Sequence, residues 1–233
     1  MKNGSNLSFN KSIKKNKKVK KKMLGDILLV TEKHKKIAAL IVDFSIKLNK
    51  KKLTIAIGGE SGSGKSEVGH MIGKYFKIRG TMAKILHTDD YYLLPPLKRK
   101  IWRKKEGINK IGVSEYDWAK IDNTISKFKE NKECIMPCID LLTDQVDQLH
   151  TNFNGIEVLI LEGLYSLKAN VDIRAFIDLT YHDTKEAQII RGKEPQTGFR
   201  LEVLKREHIV VQSLKPLANI IITKEFDMIN LMD

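Results

Sequence analysis

One eight-residue run restricts the fold of this chain more than any other feature. Gly59-Glu60-Ser61-Gly62-Ser63-Gly64-Lys65-Ser66 satisfies G-x-x-x-x-G-K-[ST] at every fixed position. Such a run works only where a strand delivers the chain into a tight turn and a helix starts straight after it. Glycines let the backbone turn and approach an anion closely. Successive N–H groups and the helix N-terminus then point at that anion. The flanks meet this demand. Leu53-Thr54-Ile55-Ala56-Ile57 is a short apolar run of the buried-strand kind, and residues 65–78 carry helical periodicity. In this setting Lys65 reaches the β- and γ-phosphates of ATP and the Ser66 hydroxyl holds Mg²⁺. Gly59 to Ser66, with Glu67 at the start of the helix, are the candidate ATP-binding residues.

The strand-then-helix pattern repeats downstream. Ala83–His87, Glu157–Leu161, Arg174–Asp178 and Asn219–Ile222 read as further strands, and helical segments fall around 117–130, 184–192 and 199–213. Alternation of this kind predicts a parallel sheet covered on both faces. The expected fold is an α/β, P-loop NTPase three-layer sandwich with a mainly parallel five-stranded sheet. Residues 91–115 are rich in Lys and Arg, include Pro95-Pro96, and read as a functional loop or lid.

Charge divides the chain unevenly. Residues 1–22 hold nine lysines and no acid, so a net +14 for the whole chain leaves +5 on residues 23–233. The first 22 residues read as a disordered tail. A dispensable extension is its bland reading, with Met23 as a candidate start. Weak contact with nucleic acid or an anionic surface is the functional alternative. Residues 23–52 read as an N-terminal helix and linker, and 53–233 as one catalytic domain. No apolar run nears the roughly 20 residues that span a membrane. Cys134 and Cys138 are too few for a disulfide framework or a usual structural zinc site, and cytoplasmic free thiols are expected. A homo-oligomer is compatible with the sequence.

Two acidic positions follow predicted strands, where ligands of open α/β sheets bind. His87-Thr88-Asp89-Asp90-Tyr91-Tyr92 follows the second strand, and Leu161-Glu162-Gly163-Leu164-Tyr165 closes the third. A carboxylate in the first segment can take the proton of an acceptor hydroxyl during phosphoryl transfer. Glu162 can join Ser66 on Mg²⁺. Helix caps and turns are the competing uses of such acids. A guanine-reading N-K-x-D is lacking, since Asn131-Lys132-Glu133-Cys134 and Asn109-Lys110-Ile111-Gly112 both miss the aspartate.

In this order the segments resemble the uridine kinase and phosphoribulokinase-like group, which includes bacterial pantothenate kinase. The resemblance runs from about residue 53 to 226 and takes in Ser114-Glu115-Tyr116-Asp117-Trp118, Pro137-Cys138-Ile139-Asp140, Asp183-Thr184 and Arg191. It implies Asp89 as catalytic base, Glu162 as magnesium-site acid, and Arg191, with Arg200 a looser match, as arginines that stabilise charge on the transferring group. Tyr92, Asp117, Asp140 and Arg200 become candidate acceptor-binding residues. The resemblance also implies ATP and Mg²⁺, with a nucleoside-like acceptor.

The base-reading positions depart from the family. Where uridine kinases carry P-x-Y-D-x-x-T-H, this chain has Pro137-Cys138-Ile139-Asp140-Leu141-Leu142-Thr143-Asp144, so Ile139 stands for the Tyr and Asp144 for the His. Pantothenate or a phosphorylated sugar is therefore an alternative acceptor. A nucleic-acid-associated NTPase is the alternative from another class. Arg99, Arg103 and the lysines around them read as a solvated charge run, and His150 and His208 as surface histidines.

Overall fold

The structure is a computed structural model that describes residues 28–141, 143–191 and 198–231. The lysine-rich tail and Met23 lie outside them. In chain order the elements are α1 (Glu32–Lys47), β1 (Leu53–Gly59), α2 (Lys65–Ile78), β2 (Ala83–His87), α3 (Pro96–Glu106), α4 (Trp118–Lys129), β3 (Glu133–Asp140), β4 (Gln145–Asn152), β5 (Val158–Glu162), β6 (Ile173–Ile177), α5 (Lys185–Arg191), α6 (Gly198–Leu214), β7 (Ile220–Ile222) and β8 (Met228–Asn230).

Six strands form the main sheet in the order β2-β5-β1-β6-β7-β8. The first five are parallel, and β8 runs antiparallel to β7 at one edge. The sheet is thus mainly parallel as expected but one strand wider, because a three-residue segment after the β7 turn pairs back on it. All seven residues of β1 are buried, as a strand covered on both faces requires. Alternation along β1 sorts the core. Leu53, Ile55 and Ile57 join Ile37, Ile41, Val68 and Ile72 from α1 and α2, whereas Ala56 joins Ile121, Ile125 and Phe128 of α4 on the other face. Helix α1 is therefore part of the packed layer over the sheet.

Two regions differ from the sequence reading. Residues 91–115 contain α3, and Arg103 on that helix is buried at 7% exposure. Residues 133–152 form an antiparallel hairpin, β3–β4, outside the main sheet. Nearly all of β4 is exposed, so no apolar alternation announces it. Pro137 within β3 is tolerated because the pair has no central strand.

Candidate active site

The sheet order places three strand ends side by side. Strand β5 lies between β1 and β2, with Glu162 in register with Ile57 of β1 and with His87 of β2. The phosphate-binding loop after β1, Glu162 at the end of β5 and the turn after β2 that carries Asp89 therefore converge at the carboxyl edge.

In the loop, Gly64 caps α2 at φ +95, a left-handed conformation that other residues rarely adopt. Lys65, which starts α2, donates from Nζ to the Glu60 carbonyl oxygen at 2.8 Å. Ser61, Gly62 and Ser63 complete the turn, and the Ser61 carbonyl accepts from Thr184 Oγ1 at 2.8 Å. The Glu67 carboxylate, buried in the first turn of α2, accepts from the Leu29 N–H at 3.1 Å. The chain just before α1 is thereby tied to the start of α2.

The Glu60 side chain has a role that the motif does not announce. It is 2% exposed. Its Oε1 accepts from His208 Nδ1 at 2.7 Å and Gln212 Nε2 at 2.8 Å, and its Oε2 accepts from the Tyr181 N–H at 2.7 Å. His208 is thus a half-buried partner of the loop rather than a free surface histidine. The spacing of His208 and Gln212, four residues apart on α6, was the one available signal.

Ser66 Oγ donates to Glu162 Oε2 at 3.1 Å, and His87 Nδ1 meets Glu162 Oε1 at 2.5 Å. Burial drives the Glu162 carboxyl upward. The His87 hydrogen bond and charge, Lys65 and the Ser66 hydroxyl outweigh it and hold the group below the usual carboxylate range. The bond to Glu162 correspondingly raises His87. A hydroxyl and an ionised carboxylate at a phosphate-binding loop form an all-oxygen donor set that suits Mg²⁺, a cation that keeps several waters and phosphate oxygens. Among the described residues no cluster of three or more His, Cys, Asp or Glu offers a fuller metal cage.

The two aspartates after β2 have different surroundings. Asp90 Oδ1 accepts from the Ile139 N–H on the hairpin at 3.0 Å, and burial raises this carboxyl despite that bond. Asp89 is exposed, and its Oδ1 accepts from Tyr116 Oη at 3.0 Å. Burial raises the Tyr116 phenol well above its usual range, so it stays a donor. Tyr92 stacks on Tyr116 with ring centroids 4.0 Å apart. The Arg99 guanidinium lies 3.4 Å from the centroid of the Tyr92 ring.

Behind this stack is a buried ionic network. Arg103 bonds Glu115 in bidentate fashion at 2.6 and 2.8 Å and reaches Glu207 at 3.2 Å, which also pairs with Arg200 at 3.3 Å. Arg103 is therefore an interior ion-pair partner, not part of a solvated charge run. The Asp117 carboxylate caps α4 by accepting from the Lys120 N–H at 3.0 Å. Asp140 closes the hairpin turn by accepting from Thr143 Oγ1 at 2.8 Å. Asp144 accepts from the Leu97 N–H at 3.0 Å, in the first turn of α3. Arg191 ends α5, and its side chain lies outside the described residues.

A mainly parallel sheet with this loop at its carboxyl edge defines the P-loop NTPase fold. The family model for the Phosphoribulokinase / Uridine kinase family matches residues 54–189, more than half of the chain. The chain belongs to that family. It is 25% identical over 189 residues to the bifunctional alpha-galactosidase/sucrose kinase AgaSK of Mediterraneibacter gnavus, covering 75% of this chain and 20% of that protein. It is 24% identical over 178 residues to a uridine kinase of Limosilactobacillus reuteri, covering 74% of this chain and 78% of the relative. Its fold is similar to that of phosphoribulokinase from Rhodobacter sphaeroides, with a TM-score of 0.59 at 13% identity over 74% of this chain and 70% of that one. No helix among the described residues is long and apolar enough to cross a membrane.

Proposed function

We propose that the protein transfers the γ-phosphoryl group of ATP to a hydroxyl of a small metabolite, with Asp89 as the base. The observation that carries this reading is the adjacency of loop, Glu162 and Asp89 on three neighbouring strand ends. Loop amides and Lys65 bind the β- and γ-phosphates. Ser66 and Glu162 are the residues that would hold Mg²⁺, which neutralises charge on the phosphate oxygens when bound. Asp89 faces solvent with one oxygen fixed by Tyr116, a geometry that orients a carboxylate toward an incoming hydroxyl. Arg191 and Arg200 are candidates for stabilising charge during transfer.

A nucleoside is the acceptor implied by the resemblance to uridine kinases, and the hairpin supports it little. Asp144 stands where those enzymes carry a His, and here its carboxylate serves the first turn of α3. The acceptor space is bordered by Asp89, the Tyr92–Tyr116 stack, α3 and the hairpin. Acceptor-dependent ADP release, screened over nucleosides, pantothenate, free sugars and sugar phosphates, tests the reading. Asp89→Asn should lower turnover about 10²- to 10⁴-fold and leave ATP binding intact. Undiminished turnover in that variant removes Asp89 from the mechanism.

A further inference from the structure

Three arginines reach the acceptor side, and their charges are not equally spent. Arg103 is held by Glu115 and Glu207, and Arg200 pairs with Glu207. Arg99 differs. It lies over the face of Tyr92, and no carboxylate among the described residues pairs with it. Its Nη1 is buried from solvent and has no hydrogen-bond partner. A guanidinium nitrogen withdrawn from water without an acceptor is costly to keep. A guanidinium recognises carboxylate or phosphate through two parallel N–H bonds from its edge, and an aromatic ring under its face leaves that edge available.

Position gives that charge a purpose. The order Arg99, Tyr92, Tyr116, Asp89 is one continuous stack, ending in the hydrogen bond from Tyr116 to Asp89. Arg99 therefore stands two rings away from the carboxylate assigned to the reacting hydroxyl, on the same wall.

We infer that Arg99 is an oxyanion-recognition point of the acceptor pocket, so that the acceptor is a small hydroxylated metabolite bearing a carboxylate or a phosphate monoester. This rests on the phosphotransfer reading above. An anion bonded to Arg99 fixes one end of the acceptor while its hydroxyl meets Asp89. A neutral nucleoside or sugar can accept a hydrogen bond from the guanidinium but cannot neutralise its charge.

The test uses the full chain with ATP and Mg²⁺ and three acceptor sets. The first is hydroxy acids (D-glycerate, pantothenate), the second phosphate monoesters (glycerol 3-phosphate, ribose 5-phosphate), and the third neutral compounds (uridine, sucrose). An anionic set should stimulate ADP release, and which of the two does so distinguishes carboxylate from phosphate. With that acceptor, Arg99→Met, which keeps apolar cover on Tyr92, should raise the acceptor KM about 10- to 100-fold. Its kcat, ATP KM and melting temperature should stay near wild type, and Arg99→Lys should recover part of the loss. A neutral compound as the best acceptor overturns the inference while leaving the kinase reading intact. So does an Arg99→Met variant that loses kcat and melting temperature with its acceptor KM unchanged, since that is the behaviour of a structural stack. If no set raises ADP release, the phosphotransfer reading itself fails, and the inference with it.

Discussion

Gly163 directly follows Glu162, the proposed magnesium-site acid, and replacing it with alanine probes how tightly the turn of the proposed base Asp89 is seated. A Cβ at this position would lie 1.8 Å from Thr88 Oγ1 and 3.1 Å from Thr88 Cβ. The backbone there has φ +157, which adds strain to any substitution. Thr88 is fully buried and β-branched, so it cannot swing away freely. The overlap must push the turn that carries Asp89, whose Oδ1 would lie 3.7 Å from the new methyl group. Overpacking of this kind costs about 1–3 kcal/mol. In a chain of this size that corresponds to a fall in melting temperature of about 2–4 °C per kcal/mol. A displacement of order 1 Å at the base should lower turnover about 10²-fold.

The clash also makes a sharper, relational prediction. Thr88 Oγ1 has no hydrogen-bond partner, so Thr88→Ala alone should cost little and remove the atom that collides. In the double variant, Thr88→Ala should then restore much of the stability lost by Gly163→Ala, a coupling visible in a double-mutant cycle of urea midpoints. Wild-type stability and turnover in Gly163→Ala, or strictly additive effects in the cycle, would refute this account of why glycine follows Glu162.

Two further outcomes concern buried charge away from the reacting atoms. Arg103→Met leaves Glu115 and Glu207 without their shared partner and should cost about 3–5 kcal/mol in urea unfolding, with part recovered when Glu115→Gln is added. Burial opposes ionisation of Asp172, but Lys50 and the Thr54 hydroxyl and N–H hold its carboxyl below the ordinary range. Its stabilising contribution is therefore complete above the unfolded-chain value of about 3.9 and disappears as pH falls through the lower folded value. The urea-midpoint gap between wild type and Asp172→Asn should be full at pH 6 and narrow progressively below about pH 4. A gap that stays constant contradicts the assignment.

Legibility in the sequence followed locality. The loop, its strand and its helix were readable because every requirement lies within about 25 consecutive residues, from Leu53 to Ile78. The central strands β1 and β5 were readable because burial on both faces makes them continuous apolar runs. The β3–β4 hairpin was not, since its exposed strand lacks that signature. The charged run around Arg99 and Arg103 looked solvated because the partners of Arg103, Glu115 and Glu207, are 12 and 104 positions away. Composition cannot show that a distant helix will enclose a guanidinium. Asp89 and Asp90 are adjacent and chemically identical in the sequence. Their surroundings differ through the deeper burial of Asp90, the hairpin N–H at Ile139 and the phenol at Tyr116.

Helix α6 carries a consequence for how the two substrates affect each other. Glu207 and His208 are consecutive residues, about 100° apart around the helix axis. Glu207 belongs to the arginine network beside the proposed acceptor wall, and His208 holds the carboxylate of Glu60 inside the phosphate-binding loop. A stiff rod fastened at one point to both halves cannot turn toward one without moving its grip on the other. Any rotation of α6 that accompanies acceptor capture is therefore felt as a change in the loop that holds ATP. By thermodynamic reciprocity, nucleotide binding must then alter acceptor affinity by the same factor.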